Sequence, residues 1–319
     1  MKRKNLILTA TVAFLSVALA MVIGFSISNM TGETVKSSST EEDVTESASS
    51  NEETETVPDT TEETKMFEMD DTFREITADG IEAIRSGYDG TMINYYTKPD
   101  LNDDNRPVEA TYFDYLFNTR ADGGARTMNT KASRVTLSFV LTMEYDGYTE
   151  YLLNYLTSKN AKAVFYVSFS YAFNYPDIVE RILRDGHTLG SLGYSLPEGG
   201  FASMTLEDQY DDLKRMHEYI YDKYGYSMEH FFFENGSFNY RSIKLVKEAG
   251  YQVRFYTVSY PDEDHDKVIA ASDFLADMSG KAHAGAVYFF HTTNTATIIV
   301  IPSLIDALRE KGYEVGLYQ

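Results

Sequence analysis

From residue 135 to residue 318 the sequence alternates between short runs of strand character and longer runs of helical periodicity, and this alternation restricts the possible folds more than any other feature. VTLSFVL (residues 135–141) is apolar almost throughout, as a strand covered on both faces must be. YTEYLLNYLTSKN (148–160) places Leu152, Leu153 and Leu156 on one helical face, and AVFYVSF (163–169) returns to strand character. The same rhythm predicts helices over 176–184, 206–224, 240–249 and 302–311, and strands over 187–191, 230–233, 252–258, 286–291 and 313–318. Thr205 and Asp208 open the 206–224 helix as a loose capping box, and Gly250 stops the helix before it. Seven strands alternating with helices require a parallel sheet, because each crossover helix returns the chain to the same end of the sheet. Periodicity alone leaves open whether that sheet closes into a barrel.

The upstream residues cannot belong to this pattern. Lys2, Arg3 and Lys4 precede a largely apolar run over 6–27, about the length that crosses a bilayer as a helix. Residues 1–29 therefore read as an export signal. Ala18-Leu19-Ala20 suits a signal peptidase, but the run stays apolar through Phe25, which favours an uncleaved anchor with the rest of the chain outside the cell. Residues 30–65 are rich in Ser, Thr and Glu; from 31 to 64 eleven acids face the single Lys36, with no aromatic residue. Such a segment cannot offset its ordering entropy and is expected to be a disordered, self-repelling linker. Residues 66–131 are mixed, with a short helical candidate over 73–85 and a polar turn over 99–107, and read as an extension leaning on the domain at 132–319.

The net charge of −21 argues against nucleic acid as a partner, since phosphates would be repelled. The chain has no cysteine, which excludes disulfides, thiol nucleophiles and thiolate metal sites.

The order of landmarks GYTEYLLNYLTSKNAKAVFYV, YPDIVERILRDGHTLGS, SIKLVKEAGYQVRFYTVS and SLIDALREKGYEV resembles the polysaccharide deacetylase family, carbohydrate esterase family 4, with its NodB-homology domain. DGYTEYLL is most similar to the branch that deacetylates muramic acid in peptidoglycan during δ-lactam formation. The resemblance implies a deformed (β/α) barrel of about seven strands. It also implies a metal-dependent hydrolase, using zinc or another divalent metal, whose motifs can be compared residue by residue.

That comparison shows the motifs to be degenerate. Where the family has T-F-D-D-G or T-F-D-N-G, this chain has Ser138-Phe139-Val140-Leu141-Thr142, so Val140 stands for the general base and Leu141 for a metal-binding carboxylate. The two metal-binding histidines of H-x-x-x-H become Leu192 and Leu196, and the base-orienting arginine of the third motif becomes Phe232. The backbone N–H of Asn235 remains at the oxyanion position, because any residue but proline supplies one. Asp262 is kept at the position that usually partners the arginine, with Glu263 in place of the following Trp; His291 matches the general acid, and Phe289 lines the cleft. His187 matches a histidine of the family that is not a ligand and is expected to be structural.

A hydrolytic zinc needs about three protein ligands, and leucine supplies none. Clustered acids and histidines left without a cation would cost about 1–3 kcal/mol each, so apolar replacements fit the loss of the metal. The expectation is a catalytically inactive pseudoenzyme of the cell envelope that binds glycan or an envelope protein, with no metal cofactor. Two alternatives stand beside it. One is an active de-N-acetylase with a relocated metal, drawing on Glu144, Asp146, Glu234 and Asp262 around His291; the other is a purely structural head held on its linker.

Overall fold

A computed structural model describes residues 65–98 and 100–319. The expected anchor at 1–29 and all of the expected linker except Lys65 lie outside the described residues. Among those described, no helix is long and apolar enough to cross a membrane.

The chain runs α1 (Ala78–Gly87), β1 (Ile93–Asn94), α2 (Val108–Arg120), β2 (Ala125–Arg126), β3 (Arg134–Leu141), α3 (Tyr148–Ser158), β4 (Val164–Val167), α4 (Phe169–Asn174), α5 (Pro176–Arg184) and β5 (Thr188–Ser191). It continues with α6 (Leu206–Tyr224), β6 (His230–Phe231), β7 (Ser237–Phe238), α7 (Tyr240–Glu248), β8 (Gln252–Arg254), β9 (Val258–Ser259), α8 (Ala271–Gly280), β10 (Val287–His291), α9 (Thr295–Glu310) and β11 (Glu314–Val315). The main sheet has the order β2-β8-β6-β5-β4-β3-β10-β9 and is parallel throughout. β11 adds a parallel pairing on the first residues of β3, while β1 and β7 form a separate antiparallel pair.

No hydrogen bond joins the two edges of this sheet, yet it cannot be flat. β8 lies next to one edge and β9 forms the other, and only residues 255–257 separate them. Four Cα–Cα steps span at most about 14 Å, so the sheet must curl until its ends nearly meet. The expected barrel is therefore an open half-barrel whose gap is bridged by the chain. The strand expected over 252–258 is accordingly two strands on opposite sides of the gap.

Strand alternation divides the interior in two. Val135, Leu137, Phe139 and Leu141 of β3, Phe165 and Val167 of β4, Phe231 of β6, and Tyr288 and Phe290 of β10 belong to the main core. Val140, Val164, Tyr166, Leu192, Phe232 and Phe289 form a second apolar cluster in the half-barrel lumen. Leu317 and Tyr318 pack against that cluster, and the Tyr318 hydroxyl lies 3.0 Å from that of Tyr166. Strands covered on both faces explain why VTLSFVL shows no polar alternation.

Several elements differ from the sequence expectation. α1 starts at Ala78 rather than 73, where Thr77 caps the helix by accepting from Gly80 N. α9 starts seven residues before Pro302 and keeps that proline inside; its first turns are rich in Thr, Ile and Val, which read as strand, and Asn294 caps it. α2, α4 and α8 were not expected; α2 exposes Tyr112 and Tyr115, which conceals its apolar face in the sequence.

The segment before α1 is strapped across the ends of α6 and α7. Phe67 N donates to Tyr224 O, Met69 N to Gly225 O, and Arg74 N to Ala249 O. Gly225 and Gly250 permit this crossing. Both have positive φ, and a Cβ on them would lie 1.7 Å from Phe67 O and 2.3 Å from Thr72 O respectively.

Candidate functional site

The motif positions gather at the C-terminal ends of the parallel strands, where half-barrel and barrel folds present their chemistry. In the β3–β10 register His291 lies opposite Val140, so the expected acid and base positions are neighbours. Leu192 directly follows β5, its N–H donating to Val167 O, and Phe232 directly follows β6, its N–H donating to Ser191 O. Backbone pairing thus still delivers these positions to one place.

What meets there is a stack of hydrocarbon. Phe289 packs face to face with Phe232 (centroids 4.9 Å apart) and with Tyr256 (4.9 Å), and Tyr166 lies 5.1 Å from Phe232. Val140 and Leu192 are buried in the same cluster, with Leu196 packed against it. Leu141 is not part of it: it is the next residue of the strand, points to the opposite face and is buried in the main core. The positions that converge are Val140, Leu192, Leu196 and Phe232.

The loop carrying Leu192 and Leu196 keeps a demanding shape. Leu196 has φ 42°, a left-handed conformation that leucine rarely adopts. The loop is held by Asp212 of α6, whose carboxylate accepts from Tyr194 N (2.6 Å), Ser195 N (2.8 Å) and the Ser195 hydroxyl. Gly193 leaves room for this, since a Cβ there would lie 2.6 Å from Asp212 Oδ1. Tyr194 is sandwiched between the ring of Phe169 (4.0 Å) and the guanidinium of Arg215 (3.8 Å). The sequence reading missed Asp212. Its signal was an acid on the buried face of α6, between Gln209, Leu213 and Met216.

The other side of the mouth is polar and fully connected. Asp262, with no exposed side-chain surface, accepts from His291 Nδ1 (2.9 Å), from His291 N, and from the Thr297 hydroxyl (2.7 Å). The resemblance implied Asp262 as partner of the third-motif arginine. With Phe232 in that place, the structure pairs it with His291, the residue that it fixes in orientation. His291 is about one-quarter exposed and lines the cleft beside the mouth.

The remaining candidates separate clearly. Asn235 sits in the exposed turn after Phe233; its side chain accepts from Ser237 N, and no acceptor among the described residues takes its backbone N–H. Glu234 lines the same cleft as His291. Glu144 is committed elsewhere, accepting from Thr149 N, the Thr149 hydroxyl and the Tyr171 hydroxyl at the start of α3. Asp146 occupies a left-handed turn position before Gly147. His187 is buried away from the mouth; its Nδ1 accepts from Ala163 N, and burial pushes its pKa down to about 4.

The family's metal does not fit its usual place here, because Leu141, Leu192 and Leu196 carry no donor atom and Leu141 does not reach the lumen. Asp262, Glu263 and His291 do offer ligand atoms within 4.8 Å of one another. Both oxygens of Asp262, however, already accept hydrogen bonds. Beside them opens a cleft of about 550 Å³, with Tyr95, Tyr256, Tyr260 and Phe289 as apolar walls and Glu234, Glu263 and His291 as polar ones.

Comparison with known proteins agrees with this geometry. A family model described as polysaccharide deacetylase matches residues 127–254. The peptidoglycan-N-acetylmuramic acid deacetylase PdaA of Bacillus subtilis is 25% identical over 187 residues, which cover 58% of this chain and 70% of that protein. Of other curated relatives matched, the chain spans 33% to 64% of their own length. The solved structure of Bacillus subtilis PdaA, a family 4 carbohydrate esterase, superposes with a TM-score of 0.65 at 21% identity over 72% of this chain and 95% of that one. A family 4 pseudoenzyme from Bacillus anthracis superposes with a TM-score of 0.54 at 20% identity, over 60% and 66% of the two chains. The structural likenesses establish the half-barrel fold, and the family match places residues 127–254 in a polysaccharide deacetylase domain.

Proposed function

We propose that this domain is a glycan-binding pseudoenzyme of the polysaccharide deacetylase family, acting outside the cytoplasm on or near peptidoglycan. The observation that carries this reading is the packing of Val140, Leu192, Leu196 and Phe232 into one continuous apolar cluster. A single lost ligand would leave a damaged site; four coordinated replacements leave a packed one. Deacetylation needs a polarised water and a base, and hydrocarbon at these positions offers neither.

Binding is supported by the cleft, whose aromatic walls suit sugar faces and whose Glu234, Glu263 and His291 suit sugar hydroxyls. The envelope setting is supported by the expected export signal and by the peptidoglycan substrates named for relatives such as PdaA. The test is to measure binding of peptidoglycan fragments together with metal content and acetate release. The reading expects saturable binding, no stoichiometric zinc and no release; stoichiometric zinc that survives dialysis, or acetate release above background, overturns it.

A second reading is an active enzyme with a relocated metal, favoured by the approach of Asp262, Glu263 and His291. It requires stoichiometric metal that is lost in Glu263→Gln, whereas the pseudoenzyme reading expects that variant to match the parent in metal content.

A further inference from the structure

The opposite end of the half-barrel, where β6 and β8 begin, holds another pocket of about 440 Å³, lined by none of the catalytic or metal-binding motif positions. Arg254 lines it from the lumen and Arg74, from the strapped segment, lines it from outside, together with Lys247, Gln252, His230 and Glu229. In a chain of net charge −21, three cations and one acid in a single pocket are a local inversion of sign.

Arg254 is the key residue. It is only 8% exposed, and its Nε is buried without a hydrogen-bond partner. Buried guanidinium groups are ordinarily paired with carboxylates. Here the groups that bear on it are the phenols of Tyr318 and Tyr166, a second cation at Arg126, and Asp114. Its face is covered by the Tyr318 ring at 4.3 Å, which leaves the N–H donors along its edge for an acceptor lying in the guanidinium plane. The neighbouring His230 also has a buried, unpartnered Nδ1. Burial and the Arg254 charge hold that imidazole neutral, with a pKa pushed down to about 3.

We propose that this pocket binds a phosphate group. The Arg254 and Arg74 guanidinium groups form no ion pair among the described residues, and Lys247, whose Nζ donates to Asp122 O, adds a third cation against Glu229, an excess that suits phosphate better than a single carboxylate. A guanidinium edge gives two parallel N–H donors to a tetrahedral oxyanion. The unpartnered Nδ1 of the neutral His230 imidazole can add a further hydrogen bond, donating to a phosphate oxygen in its Nδ1–H tautomer. The pocket is wider than phosphate alone, so the group can arrive free or on a polyol.

The test is calorimetric titration of the whole 319-residue chain in detergent, at constant ionic strength, with inorganic phosphate, glycerol 3-phosphate and acetate. The expected result is saturable one-site binding of both phosphates and none of acetate. Tighter binding of glycerol 3-phosphate assigns a phosphorylated polyol as the source, and equal affinity assigns free phosphate. Arg254→Met is expected to weaken binding at least about tenfold, as loss of a charge-assisted contact does. Because Arg254 is buried, the exposed Arg74→Ala decides the matter should Arg254→Met fail to fold, with an expected loss of about threefold or more. Absence of saturable phosphate binding, equal binding of acetate, or parental affinity in a folded Arg254→Met or in Arg74→Ala overturns the proposal.

Discussion

The two sides of the barrel mouth differ in what satisfies their groups. On the side of β3, β5 and β6, the positions of base, histidine ligands and arginine are hydrocarbon packed as tightly as a core. On the side of β9 and β10, Asp262 and His291 keep a complete hydrogen-bond network in which each buried donor has its acceptor. The difference follows from what each set of groups needed. Metal ligands are satisfied by a cation, and without it they become buried polar groups with a cost; apolar replacements remove that cost. The Asp262–His291 pair is satisfied by the protein itself and does not depend on a cation.

The largest test of this contrast converts the apolar side back. Val140→Asp with Leu192→His and Leu196→His places one carboxylate and two imidazoles where the lumen cluster is, and is expected to cost about 5 kcal/mol or more in the absence of metal. Zinc at about 100 times its dissociation constant should return about 2.7 kcal/mol, read as a rise in the thermal midpoint. A folded triple variant indifferent to zinc would show that positions 140, 192 and 196 do not converge closely enough to hold a metal. Activity should stay low, because Phe232 still occupies the place of the orienting arginine.

Next in size is the polar side. Asp262→Ala leaves His291 N and the Thr297 hydroxyl without an acceptor and is expected to cost about 3–5 kcal/mol in urea unfolding. A cost under about 1 kcal/mol would mean that this network is no more than a remnant. A pH titration then asks whether acid sensitivity belongs to the mouth at all. His187 has its pKa lowered from 6.5 to about 4 by burial, so the stability it contributes is present above pH 6.5 and is lost as pH falls toward 4. The shift corresponds to at most about 3 kcal/mol. His187→Gln, which keeps an acceptor for Ala163 N, should flatten the stability profile between those pH values; an unchanged profile would return the acid sensitivity to other groups. The smallest effect is expected from Leu196→Gly. Relief of the left-handed backbone offsets the lost side-chain packing, and the net change should stay within about 1 kcal/mol.

Much of this architecture was legible because strand and helix periods are local properties. β3, α3, α5 and α6 stand within a residue or two of where the sequence places them. The split of 252–258 into β8 and β9 was not legible, since QVRFYTVS is continuous strand character and only closure of the half-barrel decides which neighbour each part finds. Leu141 shows the same limit at the site. Its motif position says metal ligand, while strand alternation turns it to the far face of β3. Asp212 and the Asp262–His291 bond join residues 17 to 29 positions apart, and no local pattern announces such pairs.

α6 carries Asp212 at one level and, further along, His217 and Tyr221, which bond to Asp71 and to Met69 O of the strapped segment. One rigid rod therefore grips both the mouth loop and the entry of the chain into the domain. Tension applied at residue 65 would be taken up first by that rod, and any twist or slip it suffers would be delivered to residues 193–196. The mouth loop and the strapped segment are thus mechanically in series through α6.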